Sequence, residues 1–156
     1  MFRKLTRVKQ QLSQQECKEI LRSELRGVLA LCGDDGYPYA VPINFYYDEN
    51  ENAIYFHSGK SGHKMDAIRR CDKASFCVCD KGKRKDGHWS LNFKSVIAFG
   101  KVEVVENWSK DLMVEFCKRF TTDTDYIDNE IARFGNATAV LRLNIEHVSG
   151  KTVNEA

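Results

Sequence analysis

Residues 58–64 read Ser-Gly-Lys-Ser-Gly-His-Lys and lie between a strand-like segment and a helix-like one. The two glycines let the backbone approach a ligand closely, and the free N–H groups of a helix start favour a bound anion. Lys60, His63 and Lys64 add donors and positive charge. The spacing is not that of a Walker A loop. The loop therefore predicts an anion site of another kind, although a surface turn with solvated lysines has the same composition.

A second motif, Val41-Pro-Ile-Asn44, precedes this loop in the neighbouring strand-like segment. Pro42 has no N–H for a sheet hydrogen bond, so nearby backbone groups are left to meet a ligand. The amide of Asn44 both donates and accepts. A flat heteroaromatic ring needs such a mixed lining at its edge, and a phosphate needs the basic loop. Together the two motifs predict one phosphate-bearing ring cofactor.

Strands must position both motifs. An apolar run, an Asp-Gly turn and an aromatic run predict a β-hairpin. Because Pro38 and Pro42 both fall in its second strand, we expect that strand to be bulged or unpaired on one side. The region around Gly100 reads as one long or two short strands. The strands are expected at residues 27–32, 37–47, 53–57, 73–80, 88–105 and 137–147.

Helices are expected at the edge of this sheet. Ser13 and Glu16 have the spacing of a capping box, which predicts a helix from Gln14 to Ser23 or Leu25. A second helix starts at about Met65. The remaining two helices are expected at residues 107–119, capped by Asn107, and at residues 125–134.

Sequential strands joined by tight turns predict a mainly β fold with peripheral helices, an antiparallel sheet curled into a barrel. The 156 residues fit a single domain, residues 1–156. No signal peptide or membrane-length apolar run is visible, so we expect a cytoplasmic protein without a membrane partner. The six cysteines contain no C-x-x-C pair, so we expect neither a metal site nor disulfides.

The net charge of +2 is unevenly placed. Basic residues cluster in residues 1–10 and 81–85. These patches read as a solvated tail and a hairpin loop, or as a contact surface for a polyanion. They carry no interleaved aromatic residues of the kind that stack on single-stranded bases. We therefore do not expect nucleic acid as a partner.

Three ordered blocks of sequence resemble a known family. They are Gly36-Tyr-Pro-Tyr-Ala-Val-Pro-Ile-Asn-Phe45, Ile54-Tyr-Phe-His-Ser-Gly-Lys-Ser-Gly-His-Lys-Met-Asp66 and Lys94-Ser-Val-Ile-Ala-Phe-Gly-Lys101. They look like the nitroimidazole-resistance-protein branch of the pyridoxamine 5′-phosphate oxidase-like, FMN-binding split-barrel superfamily. The likeness covers about residues 1–150.

The resemblance implies a homodimer of six-stranded antiparallel split β-barrels, with FMN at the subunit interface. His57 and Ser58 would lie near the ribityl chain and phosphate, and Ser95 matches a position of polar contact with the flavin. The ring-lining residues implied are Val41, Pro42, Ile43 and Asn44. The phosphate-binding residues implied are Lys60, His63 and Lys64.

The activity implied is that of an FMN-dependent oxidoreductase acting on a small electrophile such as a nitro compound. Reduced nicotinamide or another reductase would supply electrons. No catalytic acid or base is identified, and His57 is a candidate by position only. The C-terminal arginine and tryptophan segment of true pyridoxamine phosphate oxidases has no counterpart, so we do not expect that reaction. The alternatives are a non-catalytic flavin- or haem-binding module and an interaction protein whose basic loop meets nucleic acid.

Overall fold

Strands dominate the computed structural model, which describes residues 1–153. Eight strands and four α-helices lie in this part of the chain. The strands are β1 (Arg26–Cys32), β2 (Pro38–Asn44), β3 (Tyr46–Asp48), β4 (Ala53–Gly59), β5 (Lys73–Cys79), β6 (Lys83–Arg84), β7 (Leu91–Val105) and β8 (Thr138–Val153). The helices are α1 (Gln14–Ser23), α2 (His63–Arg70), α3 (Lys110–Lys118) and α4 (Thr124–Phe134).

The sheet is antiparallel in the order β2-β1-β5-β7-β8-β4-β3, and β6 pairs with β7 alone. It curls until β2 approaches β4, which confirms the expected mainly β, curled antiparallel fold with peripheral helices. Eight strands form where six were expected, for two reasons. The aromatic run divides at the fully buried Phe45, which separates β3 from β2, and the basic loop contains the two-residue strand β6.

The turn between β1 and β2 has the conformation that its sequence predicts. Asp35 and Gly36 have φ angles of 53° and 79°, and the Tyr37 N–H donates to the Asp34 carbonyl oxygen at 2.9 Å. Positive φ at both central positions matches the right-handed twist of the flanking strands, and Asp-Gly tolerates it best. The Gly33 N–H donates to the Tyr37 carbonyl oxygen, so Asp34 is an extra residue on the β1 side and Cys32 pairs with Pro38.

Strand β2 is an edge strand, as its prolines predicted. The Gly33 N–H donates to the Tyr37 carbonyl oxygen and the Phe45 N–H to the Leu25 carbonyl oxygen. Odd-numbered β2 residues therefore face β1 with their backbone groups. Pro42 falls between them, so its missing N–H costs no hydrogen bond of the sheet. The even-numbered backbone groups of β2 point away from β1, along an open edge.

Strands β7 and β8 are long and form the back of the barrel. β7 is a single strand with an irregular register after Phe99, which settles the open choice around Gly100. A Cβ on Gly100 would lie 1.9 Å from the Asn144 carbonyl oxygen, so only glycine fits there. β8 runs six residues further than the expected 147, to Val153.

The helix starts follow local capping chemistry. The Ser13–Glu16 capping box is present, and α1 ends at Ser23. α2 begins at His63, two residues before the expected start. The predicted cap at Asn107 is wrong, because that residue has a positive φ of 53° and Ser109 caps α3 instead. None of the helices within residues 1–153 is long and apolar enough to cross a membrane.

Two apolar clusters hold the fold together. The larger fills the barrel, with Leu29, Phe56 and Phe76 fully buried. The smaller joins the outer face of β4 and β8 to α3, through residues such as Tyr55 and Phe116. Because side chains alternate along β4, Phe56 faces the barrel while His57 faces α3. The position of His57 is thus fixed by packing on both sides of the strand.

Candidate functional site

A groove of about 350 Å³ lies between the open edge of β2 and β4. Its lining is formed by Arg26, Pro42, Ile43, Asn44 and His57. The fold thus brings three of the four predicted ring-lining residues to His57. The fourth, Val41, does not line the groove; its side chain packs against the barrel core, as does that of Ile43.

Arg26 lines this groove and was missed by the sequence reading. Its Nε donates to Asn44 Oδ1 at 2.8 Å. Arg26 and Asn44 are opposite each other in the hairpin register. Counting back from a two-residue Asp35-Gly36 turn would pair Arg26 with Phe45 instead, because Asp34 is an extra residue on the β1 side of the turn and shifts the register by one. The bond orients the Asn44 amide and adds a positive charge beside it.

His57 connects the groove to the helices. Its ring lies edge-on to that of Phe116, with centroids 5.0 Å apart and planes at 70°. Burial first, and then the positive charge of Lys64, lower the pKa of His57 below its ordinary 6.5. The imidazole is therefore neutral at pH 7, with one ring nitrogen able to donate and the other able to accept.

Lys64 lies in the first turn of α2 and is partly buried. Burial lowers its pKa. Among residues 1–153, no carboxylate pairs with its ammonium group and no acceptor takes a hydrogen bond from it. A positive charge near a helix N-terminus is disfavoured by the helix dipole, and burying it without a counter-charge adds a further cost. A bound anion would remove both costs.

The other predicted phosphate residues are arranged differently. His63 stacks on Tyr39, with centroids 4.0 Å apart, and its Nε2 is 3.5 Å from Asp34 Oδ2. Its side chain therefore contacts the β1–β2 turn. Lys60 is exposed and lines a separate cavity of about 850 Å³ beside Trp108. Ser58 is partly buried near the end of β4.

Ser95 lies apart from the other predicted residues. It pairs with Cys79 and Lys151 on β7, and strands β1 and β5 separate β7 from β2. Three strand spacings amount to about 14 Å. Within one chain, Ser95 is therefore outside the groove that contains Asn44 and His57.

The cysteine and histidine side chains do not form a metal site in the part of the chain that the structure describes. No three His, Cys, Asp or Glu side chains gather there as ligands. All six cysteines are free thiols. The polar side chains that line the groove are those of Arg26, Asn44 and His57.

A curled antiparallel sheet with an open edge strand, and a groove whose His57 is influenced by an unpaired lysine at a helix start, define a split-barrel protein with a cofactor-sized site. The family model for pyridoxamine 5′-phosphate oxidase matches residues 13–152. The chain therefore belongs to this family, as its three sequence blocks predicted. No curated protein matches the chain in sequence.

Solved structures share the fold at low sequence identity. A candidate 5-nitroimidazole antibiotic resistance protein from Bacteroides thetaiotaomicron is 20% identical, with a TM-score of 0.73 over 91% of this chain and 86% of that one. A conserved hypothetical protein from Mycobacterium tuberculosis is 20% identical, with a TM-score of 0.77 over 95% of this chain and 90% of that one. An FAD-binding protein from Mesorhizobium loti is 23% identical, with a TM-score of 0.65 over 92% of this chain and 97% of that one.

Proposed function

We propose that this protein binds FMN in the groove beside β2 and acts as an oxidoreductase on a small electrophile such as a nitro compound. Lys64 carries the proposal. It is a partly buried cation with no counter-charge among residues 1–153, and it lies close enough to His57, which lines the groove, to lower the pKa of that imidazole. Family membership and the FAD-binding relative support a flavin as the ligand.

The phosphate would be held where α2 begins. The ammonium group of Lys64 supplies the charge, and the free N–H groups of the first turn supply directed donors. Lys60 adds an exposed positive charge nearby in the chain. The side chain of His63 contacts Asp34 and stacks on Tyr39, so it would have to break these contacts to reach the phosphate. We therefore assign the larger share of phosphate affinity to Lys64.

The ring would lie along the open edge of β2. The backbone carbonyl oxygens of Pro42 and Asn44 point away from β1, and Asn44 offers an amide held by Arg26. These groups provide donors and acceptors for the polar edge of a flavin, while Ile43 supplies apolar contact. FMN supplies hydride or electron transfer when bound, and the protein orients the ring.

His57 is the group in the groove that holds a proton at neutral pH without carrying a charge. Its ring packs edge-on against Phe116, while the residue stays exposed to solvent. We assign it the role of exchanging a proton with the bound electrophile or with the ring edge. A small apolar pocket of about 140 Å³, lined by His57, Trp108 and Met113 among others, leaves room for part of a substrate.

The functional unit in this proposal is a homodimer. Four residues form a row across the outer face of the sheet, one on each of β2, β1, β5 and β7. This outer row consists of Pro42, Val28, Cys77 and Ile97. Val28 is 37% and Ile97 36% exposed, which favours a covering partner. A partner on this face would lie next to the groove, and its Ser95 would reach a flavin that the same chain's Ser95 does not reach.

The visible spectrum and the released cofactor test the proposal directly. Protein purified from the cytoplasmic fraction is expected to be yellow, to release FMN on denaturation and to oxidise reduced nicotinamide with a nitroaromatic acceptor. Release of FAD instead of FMN would change the identity of the cofactor but keep the groove as its proposed binding site. A yellow protein inert to every donor would identify a flavin-binding module rather than an enzyme. A colourless protein that binds no added flavin would overturn the proposal.

A further inference from the structure

Two thiols lie side by side where β1 and α2 end. Cys32 is the last residue of β1 and is exposed, and Cys71 follows α2 and is partly buried. The Cys71 side chain is the largest influence on the pKa of the Cys32 thiol, which it raises. Arg70, the residue before Cys71, donates from Nη2 to the carbonyl oxygen of Cys32 at 3.1 Å. The register of β1 and β5 agrees with this placement: Ala30 is opposite Ser75, so Cys32 and Cys71 lie toward the same end of the strand pair.

The surrounding contacts keep this arrangement in place. Arg70 also donates to Asp34 Oδ1 at 2.8 Å, while His63 at the other end of α2 contacts Oδ2 of the same carboxylate. The Cys71 N–H donates to the carbonyl oxygen of Ala67 at 3.0 Å. Both ends of α2 are thus attached to the β1–β2 turn. The thiols are presented to each other by fixed elements rather than by mobile loops.

We propose that Cys32 and Cys71 are a modification site that closes to a reversible disulfide with a low-molecular-weight disulfide, such as oxidised glutathione, as oxidant. The Cys32 thiolate attacks one sulfur of the oxidant and releases one glutathione thiolate. The Cys71 thiolate then attacks Cys32 in the mixed disulfide and releases the second. The two protons from the protein thiols go to the two glutathiones, and the protein loses two electrons to the oxidant.

Electrostatics set the pH dependence of this reaction. The Cys71 side chain is the largest influence and raises the pKa of Cys32, whereas the positive charges of Arg70 and Lys73 lower it. The net pKa lies above the ordinary thiol value, so little thiolate is present at neutral pH. Closure is therefore expected to accelerate as the pH rises from about 7 to about 9.

The disulfide would stabilise the attachment of α2 to the hairpin. It encloses residues 33–70, and cross-linking a loop of this length removes conformational freedom mainly from the unfolded chain. An increase in Tm on the order of 5–10 °C is expected. The pair lies at the end of α2 opposite Lys64, so this inference does not depend on flavin binding.

Mass spectrometry of the intact protein tests the proposal. Reduced protein is incubated with oxidised glutathione at several pH values, quenched with an alkylating agent and digested without reduction. The expected product has lost two hydrogen atoms and yields one peptide pair joining Cys32 to Cys71, reversibly by dithiothreitol. Failure to find that pair, or separate glutathione adducts on the two residues, would overturn the inference.

A second thiol pair in the chain provides the control. Cys77 and Cys79 lie two residues apart on the single strand β5, where burial first and then Cys79 raise the pKa of Cys77. Replacing both by serine should leave the closure and the rise in Tm intact. Cys32→Ser and Cys71→Ser should each abolish both. If closure is lost when Cys77 and Cys79 are replaced but kept in the Cys32→Ser variant, the disulfide joins Cys77 to Cys79 and the proposal is overturned.

Discussion

Lys64 tests the phosphate site most directly. Replacing Lys64 by Ala removes the unpaired charge at the start of α2 without removing a partner from any other side chain among residues 1–153. FMN affinity should fall by about 1–3 kcal/mol, roughly 5- to 150-fold, because a charge-assisted hydrogen bond is lost. Quenching of flavin fluorescence during titration measures it.

The control for this substitution is Lys73→Ala on strand β5, an exposed lysine of the same charge. It should leave FMN affinity unchanged, which separates a local contact from the general effect of net charge. Equal affinities of the Lys64 and Lys73 variants would leave Lys64 without a role in binding. Thermal unfolding of the Lys64 variant without flavin is expected to show no loss of stability, since burying an unpaired charge is a cost to the fold.

The pKa of His57 reports on the same charge. In the free protein it lies below 6.5, through burial first and through the charge of Lys64 second. Lys64→Ala should raise this pKa, because removing a nearby positive charge favours the imidazolium ion. It should stay below 6.5, because burial remains. NMR titration of the imidazole protons follows the change.

Lys60→Ala provides the comparison for that titration, since Lys60 is not among the charges that act on His57. It should leave the His57 curve in place. Inorganic phosphate bound at Lys64 should also raise the His57 pKa, because the anion offsets the lysine charge. A His57 curve that does not respond to Lys64→Ala would separate the two residues and remove the electrostatic link within the groove.

At the level of the elements, the sequence predicts the fold well where the signal is local. The Asp-Gly turn, the Ser13 capping box and the prolines of an edge strand each follow from one or two residues and their backbone chemistry. Gly150 is an opposite case. The last strand was expected to end at residue 147, but β8 continues through Gly150 to Val153. A glycine is needed at 150 because a Cβ there would lie 2.5 Å from the Sγ atom of Cys17 in α1. Only tertiary packing reveals that reason.

In the candidate site, too, some residues could be predicted from local sequence and others depend on tertiary packing. Pro42, Ile43, Asn44 and His57 belong to two of the three sequence blocks and line one groove, whereas Ser95 of the third block lies outside it. His63 was read from composition as a phosphate donor, and nothing local showed that Asp34 and Tyr39 would be within its reach. Arg26 lies outside the quoted blocks and enters the site only through the hairpin register. Residues recruited across strands are those that a reading along the chain misses.

The irregular register of β7 at Gly100 leads to a prediction about the pairing of β7 with β8. Gly100→Ala should destabilise the protein by about 2–4 kcal/mol, because its Cβ would lie 1.9 Å from a backbone oxygen of Asn144 and β7 and β8 would have to separate. Urea unfolding measures the loss. Gly59→Ala is the matched control, since the nearest atom to its added Cβ is 4.0 Å away. Similar midpoints for the two variants would contradict the register at Gly100.

At the level of the whole molecule, the outer row is the surface on which we expect a second copy of the chain to bind. Its four residues cross four adjacent strands, and Pro42 belongs both to this row and to the groove. A partner bound here would therefore close the groove at the same time. Assembly and flavin binding are expected to be linked, since each partner would bind a site that the other completes.

Ile97→Asp tests this link, because it puts a charge at the β7 end of the outer row without touching the groove. The expected result is a monomer by light scattering, with FMN affinity lowered at least tenfold. Val8→Asp is the control: Val8 is also exposed and apolar but lies outside the sheet, so its variant should remain dimeric and yellow. A monomeric Ile97 variant that keeps full affinity would place the whole flavin site within one chain. A variant that stays dimeric would move the interface away from the outer row, and the reach of the partner's Ser95 would then lose its basis.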